Sequence, residues 1–478
     1  MKTGWRLLAS LIATSLFVTA CTVGPNYRRP SVVTPPAFKE LPGWKVAQPQ
    51  DEVLRGAWWE IFQEPRLNAL EEQVNFSNQN VVAAEAQVRQ AQAAIQAARA
   101  SYFPTLSVGA GLTGAQTTVG SGSNAQSART AGYTLPLTAA WEPDLWGRVR
   151  RSVESQRATA QATVADLESV RLTAQATLAQ SYFALRVLDA EAKLLADTVA
   201  AYQRSLTMVQ NRYAVGVASR AEIAQAETQM KSTQAQLVDV GVQRAQLEHA
   251  IAVLIGEPAS TFSLPVAPLT APPPAIPVGV PSELLERRPD VAAAERRVAA
   301  ANAQIGVAVA AFYPNVTLSG TVGALATALG NWPSLVWSLG AAISETVFEG
   351  GLRKAVTEEA WATYDATVAS YRQTTLTAFQ DVEDNLAALR ILADEATIQD
   401  EAVKAAQQAL AVVTNQYRAG TLSYLDVVVT QALALTNERT AVDILGRRMN
   451  AAVLLIKGLG GGWNASTLGA PAAAVHHP

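Results

Sequence analysis

Two stretches of this chain, residues 148–215 and 352–419, each run 68 residues without a glycine or a proline. The residues that break helices most effectively are therefore missing from both. In the first stretch Ala160, Val164, Leu167, Arg171, Ala174, Leu178, Ser181, Leu185, Leu188, Ala192, Leu195, Val199, Tyr202, Leu206, Val209 and Tyr213 are spaced alternately by four and three, and only Arg171 and Ser181 interrupt the apolar stripe. That is a heptad seam. The second stretch repeats it from Tyr364 to Tyr417 with three polar interruptions, Thr375, Asn385 and Gln399. Each predicts a single helix roughly 100 Å long, at about 1.5 Å per residue, which does not fit inside a compact globule.

The two stretches are also related to each other. ALRVLDAEA at 184–192 returns 204 residues later as ALRILADEA at 388–396, and Gly147 with Gly351, Asn211 with Asn415, Tyr213 with Tyr417 and Gly216 with Gly420 keep that offset. The chain reads as two tandem copies of one unit. After Gly216 and Gly420 a return helix runs back in each copy, so the two glycines are the predicted hairpin tips. Upstream, Arg66–Ser101 and Asp290–Ala311 are helical stretches expected to stack end to end with the return helices.

Ahead of each long helix the period changes from 3.5 to 2. Leu106, Val108, Ala110 and Leu112 alternate with small or polar residues, as do Tyr133, Leu135, Leu137, Ala139 and Trp141. Val316 to Ala324 and Leu335 to Ile343 repeat the scheme, so four strands are predicted, each about ten residues, the length a tilted strand needs to cross a bilayer. Tyr102, Phe103, Trp141, Trp146, Tyr313, Trp332 and Phe348 flank them as candidate interfacial girdles. Four strands cannot close a barrel, and an open edge in lipid leaves backbone groups unpaired. Copies must therefore associate. Three chains supply twelve strands, enough to leave a lumen.

The N-terminus carries an export pattern: Lys2 and Arg6, then an uncharged, mostly apolar run from Leu7 to Ala20. The only cysteine, Cys21, follows Val18-Thr19-Ala20, a spacing that looks like a bacterial lipoprotein box. Acylation of Cys21 is the expected fate of that thiol, and palmitate-type chains would anchor the mature protein. A formal net charge of -3 with 16% charged residues gives no pointer to nucleic acid.

These features predict an α+β membrane protein: two tandem repeats, each a β-strand pair plus a long coiled-coil α-helical hairpin, in a trimer that brings twelve strands together. The expected organisation is a signal peptide over 1–20 and a lipid-anchored segment over 21–65. The first repeat covers 66–258, with strands 105–113 and 133–142, long helix 148–215 and return helix 217–255. A Pro-rich linker covers 259–281. The second repeat covers 282–457, with strands 315–325 and 335–346, long helix 352–419 and return helix 421–457, followed by a tail over 458–478.

In WWEIFQEPRLNAL (58–70) and PSELLERRPDVAAAERRVAAANAQIGVAVAAFYPNVTLSG (281–320) the chain resembles the outer membrane efflux protein family, the TolC-like trimeric channels, in its NodT-type lipoprotein branch. The resemblance implies a 12-stranded outer membrane β-barrel on a periplasmic α-helical tunnel, an exit duct serving an inner-membrane transporter of the resistance-nodulation-division (RND) class through a periplasmic adaptor protein, for multidrug or other small-molecule efflux. PVAPLTAPPPAIPVGVP (265–281) then corresponds to the family's equatorial region.

By the same resemblance the gate lies at the hairpin tips, at Glu222 and Asp426, six residues after Gly216 and Gly420, with Tyr417 and its counterpart Tyr213 three before them. Two departures stand out: Leu422 and Val429 occupy positions where relatives often place an arginine and a second acid. Catalysis has no foothold in the sequence. His249, His476 and His477 make no metal cluster, no phosphate-binding loop is present, and no cofactor is expected beyond the lipid on Cys21. A type I protein secretion duct and a non-conducting periplasmic lipoprotein scaffold are the alternatives.

Overall fold

A computed structural model describes residues 22–40, 56–119, 126–276, 284–326 and 334–463. The signal peptide, Cys21 and Trp332 lie outside these residues. A 3-10 turn at Trp58–Phe62 precedes α1 (Pro65–Ser77), α2 (Gln79–Ala100), β1 (Thr105–Val108), β2 (Gly111–Val119) and β3 (Gln126–Trp141). Next come α3 (Arg148–Ala214), α4 (Arg220–Leu254), the short α5 (Leu284–Arg287) and α6 (Pro289–Ala310). The order finishes with β4 (Asn315–Ala326), β5 (Ser334–Ser344), α7 (Leu352–Arg418) and α8 (Tyr424–Gly458). Both long helices have 67 residues and both return helices 35. Among the described residues no helix is long and apolar enough to cross a membrane.

The chain divides into two compact units. Unit 1 comprises Met1–Ser31, Val88–Thr163 and Ala294–Tyr371, and unit 2 comprises Val32–Gln87, Val164–Ala293 and Arg372–Pro478. In unit 1 all strands form one antiparallel sheet ordered β1-β3-β4-β5, with β2 continuing β1 along the same side of β3. The break at Gly109-Ala110 has a local cause. Gly109 N donates to Pro136 O at 3.0 Å, but Pro136 has no N–H to return the bond. Beyond the expected end at residue 113 the ladder continues, Val119 pairing with Gln126. Apolar alternation stops near Leu112 while backbone pairing does not, so the pattern alone underestimates these strands.

Cross-strand register sorts the sheet into two faces. Leu106, Val108 and Leu112, then Leu135, Leu137 and Trp141, then Leu318 and Val322, then Leu335, Trp337, Leu339 and Ile343 share one side. All of these are exposed. The other side carries Thr105, Ser107, Thr134, Thr138, Thr317, Ser319, Thr321, Ser338 and Gly340. Between β3 and β4 the backbones meet closely at Pro136 and Gly323, where a Cβ on Gly323 would lie 2.7 Å from Leu135 O.

At one end of unit 1 residues 22–31 are tied down side by side with α3 and α6. Val23 N donates to Trp146 O at 3.1 Å, and buried Arg151 donates to Val23 O, Gly24 O and Asn26 Oδ1. Asn302 Nδ2 donates to Pro25 O at 3.0 Å. Trp146 stacks on Tyr313 at 4.9 Å and donates its indole N–H to Pro314 O.

Unit 2 holds the main core, where Trp58, Leu67, Leu70, Val74, Leu178, Tyr182, Leu185, Ile251, Leu386 and Leu455 pack together. The seam of α3 is buried or half-buried at every position from Ala160 to Val209, and that of α7 at every position from Tyr364 to Tyr417. The stretch expected to be one helix over 66–101 is two, because Asn78 leaves the helical path with ψ 121°. Its side chain accepts from Asn80 N and Val81 N at the start of α2 and donates to Leu254 O at the end of α4 at 2.7 Å. One amide thus joins two helix ends. In the second half Arg288 reaches Gly458 O at 3.3 Å at the end of α8, while pairing with Asp290 and Asp381.

The repeated nonapeptide has a definite job in each copy. Buried Arg186 donates to Pro265 O at 2.7 Å and to Asp189 Oδ2 at 3.1 Å, and Asp189 also accepts from Arg244 Nε and Ala267 N. Its counterpart Arg390 pairs with Glu40 at 2.6 Å, and Glu383 accepts from Lys39 N and Glu40 N. One copy straps the proline-rich linker to the helices; the other straps the N-terminal segment.

Candidate functional site: the hairpin tips

The candidate gate lies wholly in unit 2, where α3 turns into α4 and α7 into α8. Both turns use glycine in the left-handed region, Gly216 at φ 73° and Gly420 at φ 80°. Val217 N donates to Arg212 O and Gly216 N to Tyr213 O; Thr421 N donates to Gln416 O and Gly420 N to Tyr417 O. These are Schellman motifs, which stop each helix and satisfy its last carbonyls. The return helices begin at Arg220 and Tyr424, three residues later than expected at 217 and 421, because Ser219 and Ser423 cap them.

Glu222 has two tasks. Its Oε1 accepts from Ser219 N at 3.2 Å, closing a capping box, and its Oε2 accepts from Tyr417 OH at 2.8 Å. The second contact joins the two hairpins. Asp426 does something different: its Oδ2 accepts from Ser423 N at 3.1 Å and Ser423 Oγ at 2.7 Å within its own turn. The tyrosines part company as well. Tyr417 is 2% exposed, whereas Tyr213 is 47% exposed.

Two residues that the sequence reading passed over complete the site. The guanidinium of Arg212 lies 4.6 Å above the Tyr417 ring, and its Nη1 donates to Arg418 O at 3.1 Å. Tyr424, fully buried, meets Tyr417 edge-on at 5.3 Å. Its signal was present in the sequence, since Tyr424 stands seven residues after Tyr417 and continues the seam across the turn. Beneath them Tyr202, Leu206, Val209, Ala226, Met230 and Val427 form a small core of their own.

The surroundings raise both phenol pKa values. Burial first, then the hydrogen bond and charge of Glu222, hold Tyr417 well above the usual tyrosine range. Burial pushes Tyr424 up to about 12. Leu422 and Val429 are exposed apolar residues, as are Val215 and Val217 at the first tip.

Comparison with known proteins gives this geometry its class. The pyoverdine export outer membrane protein OpmQ of Pseudomonas aeruginosa is 30% identical over 467 residues, covering 96% of this chain and 98% of that protein. The probable efflux pump outer membrane protein TtgC of Pseudomonas putida is 28% identical over 474 residues, covering 97% of each. Among solved structures, the outer-membrane channel OprN superimposes with a TM-score of 0.86 at 29% identity, covering 93% of this chain and all of that one. The fold, with its antiparallel sheet and long helical hairpins, is that of a TolC-like outer membrane channel, not an enzyme. The chain belongs to the outer membrane efflux protein family, whose model matches residues 71–257 and again 280–461. It is an outer membrane channel of a tripartite efflux pump, extending into the periplasm and working with a periplasmic adaptor and an inner-membrane transporter.

Proposed function

We propose that three copies of this chain close their sheets into a single twelve-stranded barrel on a helical tunnel, and that the duct passively conducts small molecules delivered by an RND-class transporter. The observation that carries this reading is the sheet itself. One face presents Leu106, Val108, Leu112, Leu135, Leu137, Trp141, Leu335, Trp337, Leu339 and Ile343 exposed, the opposite face is mostly threonine, serine, glycine and alanine with Leu325 and Val336 as exposed apolar residues, and each edge strand pairs on one side alone among the described residues. Such a face suits lipid and such edges suit neighbouring copies, since an unpaired edge in hydrocarbon costs several kcal/mol per group. The double match to one family model and the equal helix lengths support a duplicated unit, giving the assembly quasi-sixfold symmetry.

Cys21 is proposed as the acylated N-terminus. The segment that follows it is held by Arg151 and Asn302, which supports a fixed attachment point for the lipid. Glu222, Tyr417, Arg212 and Tyr424 are proposed to hold the periplasmic end closed, with Asp426 adding an acidic ring that favours cations. Pyoverdine is the cargo in the name of one relative, and a molecule of that size is the proposed upper class of cargo here.

The test is the mass of the detergent-extracted full-length complex together with its single-channel conductance in planar bilayers. Three chains and an ion current that rises in Tyr417→Phe are expected. A trimer with no current in either form removes the channel reading. Mass spectrometry of the N-terminal peptide, with Cys21→Ser as control, decides acylation.

A further inference from the structure

The two edges of the sheet are unlike each other. On one side β1 and β2 pair only with β3, on the other β5 pairs only with β4. Every residue of β1 and of β5 is exposed, whereas β4, paired on both sides, is half-buried over much of its length.

Inside the chain the two hairpins share one register. Pro104 and Pro314, ahead of the first strand of each hairpin, stand 210 residues apart, while Gly147 and Gly351, after the second strand, stand 204 apart. Moving the first strand by 210 and the second by 204 carries the pair Leu106 with Ala139 onto Val316 with Ile343, and Val108 with Leu137 onto Leu318 with Ala341. All four pairs are observed. The difference of six between the two shifts is absorbed entirely by the loops, leaving the ladders in step.

The same shifts can be applied to the seam where the first hairpin meets the second. There β3 becomes β5, and β4 becomes β1 and β2 of a neighbouring copy. Leu137 with Val322 becomes Ala341 with Leu112; Ala139 with Gly320 becomes Ile343 with Ala110; Leu135 with Ala324 becomes Leu339 with Gly114. We infer that two copies of this chain meet edge to edge in this register, β5 of one running antiparallel to β1 and β2 of the next. The inference rests on the multimeric reading above and adds to it which residues face which.

Side-chain volume favours this register over its neighbours. Leu339 with Gly114, Leu112 with Ala341 and Ile343 with Ala110 each set a large residue against a small one. A slip of two residues in one direction puts Leu339 against Leu112 and Ile343 against Val108, and in the other puts Ile343 against Leu112. A slip of one turns the apolar set of β5 to the polar side of the sheet. The polar face agrees. At the internal seam the tight pair is Pro136 with Gly323, and its image is Gly340 with Thr113, again one glycine per pair but on the opposite strand.

Disulfide capture tests the register. Pro136 turns its carbonyl to Gly109, away from β4, so Pro136 and Gly323 form a pair without mutual hydrogen bonds. By the same pattern Thr113 and Gly340 of adjacent copies bring their Cα atoms to about 4.5 Å, within disulfide range. The experiment uses the full-length chain carrying Thr113→Cys with Gly340→Cys, oxidised after detergent extraction and run unreduced on denaturing gels. Single-cysteine forms control for Cys21, and Leu112→Cys with Ala341→Cys is the second matched pair should Gly340→Cys fail to fold. Both matched pairs are expected to form a covalent ladder ending at three chains, and to do so faster than Thr113→Cys with Ser338→Cys or with Ala342→Cys. Faster closure of an offset pair in a three-chain complex overturns the register and leaves the multimeric reading standing. A complex whose mass is one chain overturns both.

Discussion

The hydroxyl of Tyr417, at the end of α7, donates to Glu222 Oε2, at the start of α4, across 2.8 Å. Of the hydrogen bonds at the tips this one passes between tyrosine and acid, and among the described residues it has no counterpart in the other half. Tyr213 faces solvent, and Asp426 is occupied by Ser423. Two positions that are equivalent in sequence are therefore unequal in consequence.

Tyr417→Phe should open the tip while Tyr213→Phe should not. A hydrogen bond to a charged partner contributes about 1.5 kcal/mol or more, which corresponds to about a tenfold shift in an opening equilibrium. Conductance in planar bilayers measures it. Equal currents from the two variants would remove the assigned asymmetry.

Alkali should loosen the same tip. The folded-state pKa of Tyr417 is raised above its ordinary value of 10.0, so the protonated phenol is favoured in the closed form. Its contribution is then fully present below pH 10 and is lost as pH climbs through the raised value, Tyr424 titrating ahead of it at about 12. Hydrogen exchange at residues 417–424 should be flat from pH 7 to 10 after correction for intrinsic rate, then rise. In Tyr417→Phe that rise should be smaller.

The two strap arginines should differ in cost. Arg186 and Asp189 are buried, with side-chain exposures of 5% and 1%, so Arg186→Ala leaves a carboxylate inside the core short of one partner and should cost about 3 kcal/mol. Arg390 and Glu40 are 43% and 21% exposed, and Arg390→Ala should cost about 1 kcal/mol or less. Thermal unfolding in detergent gives the ranking. Hydrogen exchange over residues 264–269 should increase only in Arg186→Ala.

Two glycine substitutions should have opposite signs. Gly323→Ala places a methyl 2.7 Å from Leu135 O and 2.8 Å from Pro136 Cα, both backbone, so the strands must separate and the oligomer should melt at a lower temperature. Overpacking of this kind costs about 1–3 kcal/mol. Gly241 lies within α4 with nothing within 4 Å of its Cβ position, and Gly241→Ala should stabilise by about 1 kcal/mol. Denaturing gels after graded heating read both.

The long helices and the strand positions were legible in the sequence because each rests on a single short-range rule, absence of breakers in one case and alternation in the other. What escaped was set by partners distant in the chain. Pro136 interrupts the strand opposite it, so the break at Gly109 is written 27 residues away. Asn78 splits a helical stretch in order to cap α2 and close α4, and nothing near Asn78 announces Leu254. At the tips the resemblance marks positions by their distance from a glycine and carries no packing. The difference between Tyr213 and Tyr417 arises from packing, through Tyr424 beneath the ring and Arg212 above it. Cys21 falls outside the described residues, and its acylation stands as a proposal.

Because the bond from Tyr417 to Glu222 begins and ends in the same polypeptide, each subunit of the proposed trimer would fasten its own sector without consulting its neighbours. Mixed assemblies made by co-expressing unaltered and Tyr417→Phe subunits would then display discrete sublevels of current, their abundances following the binomial mixture of subunits instead of switching all at once.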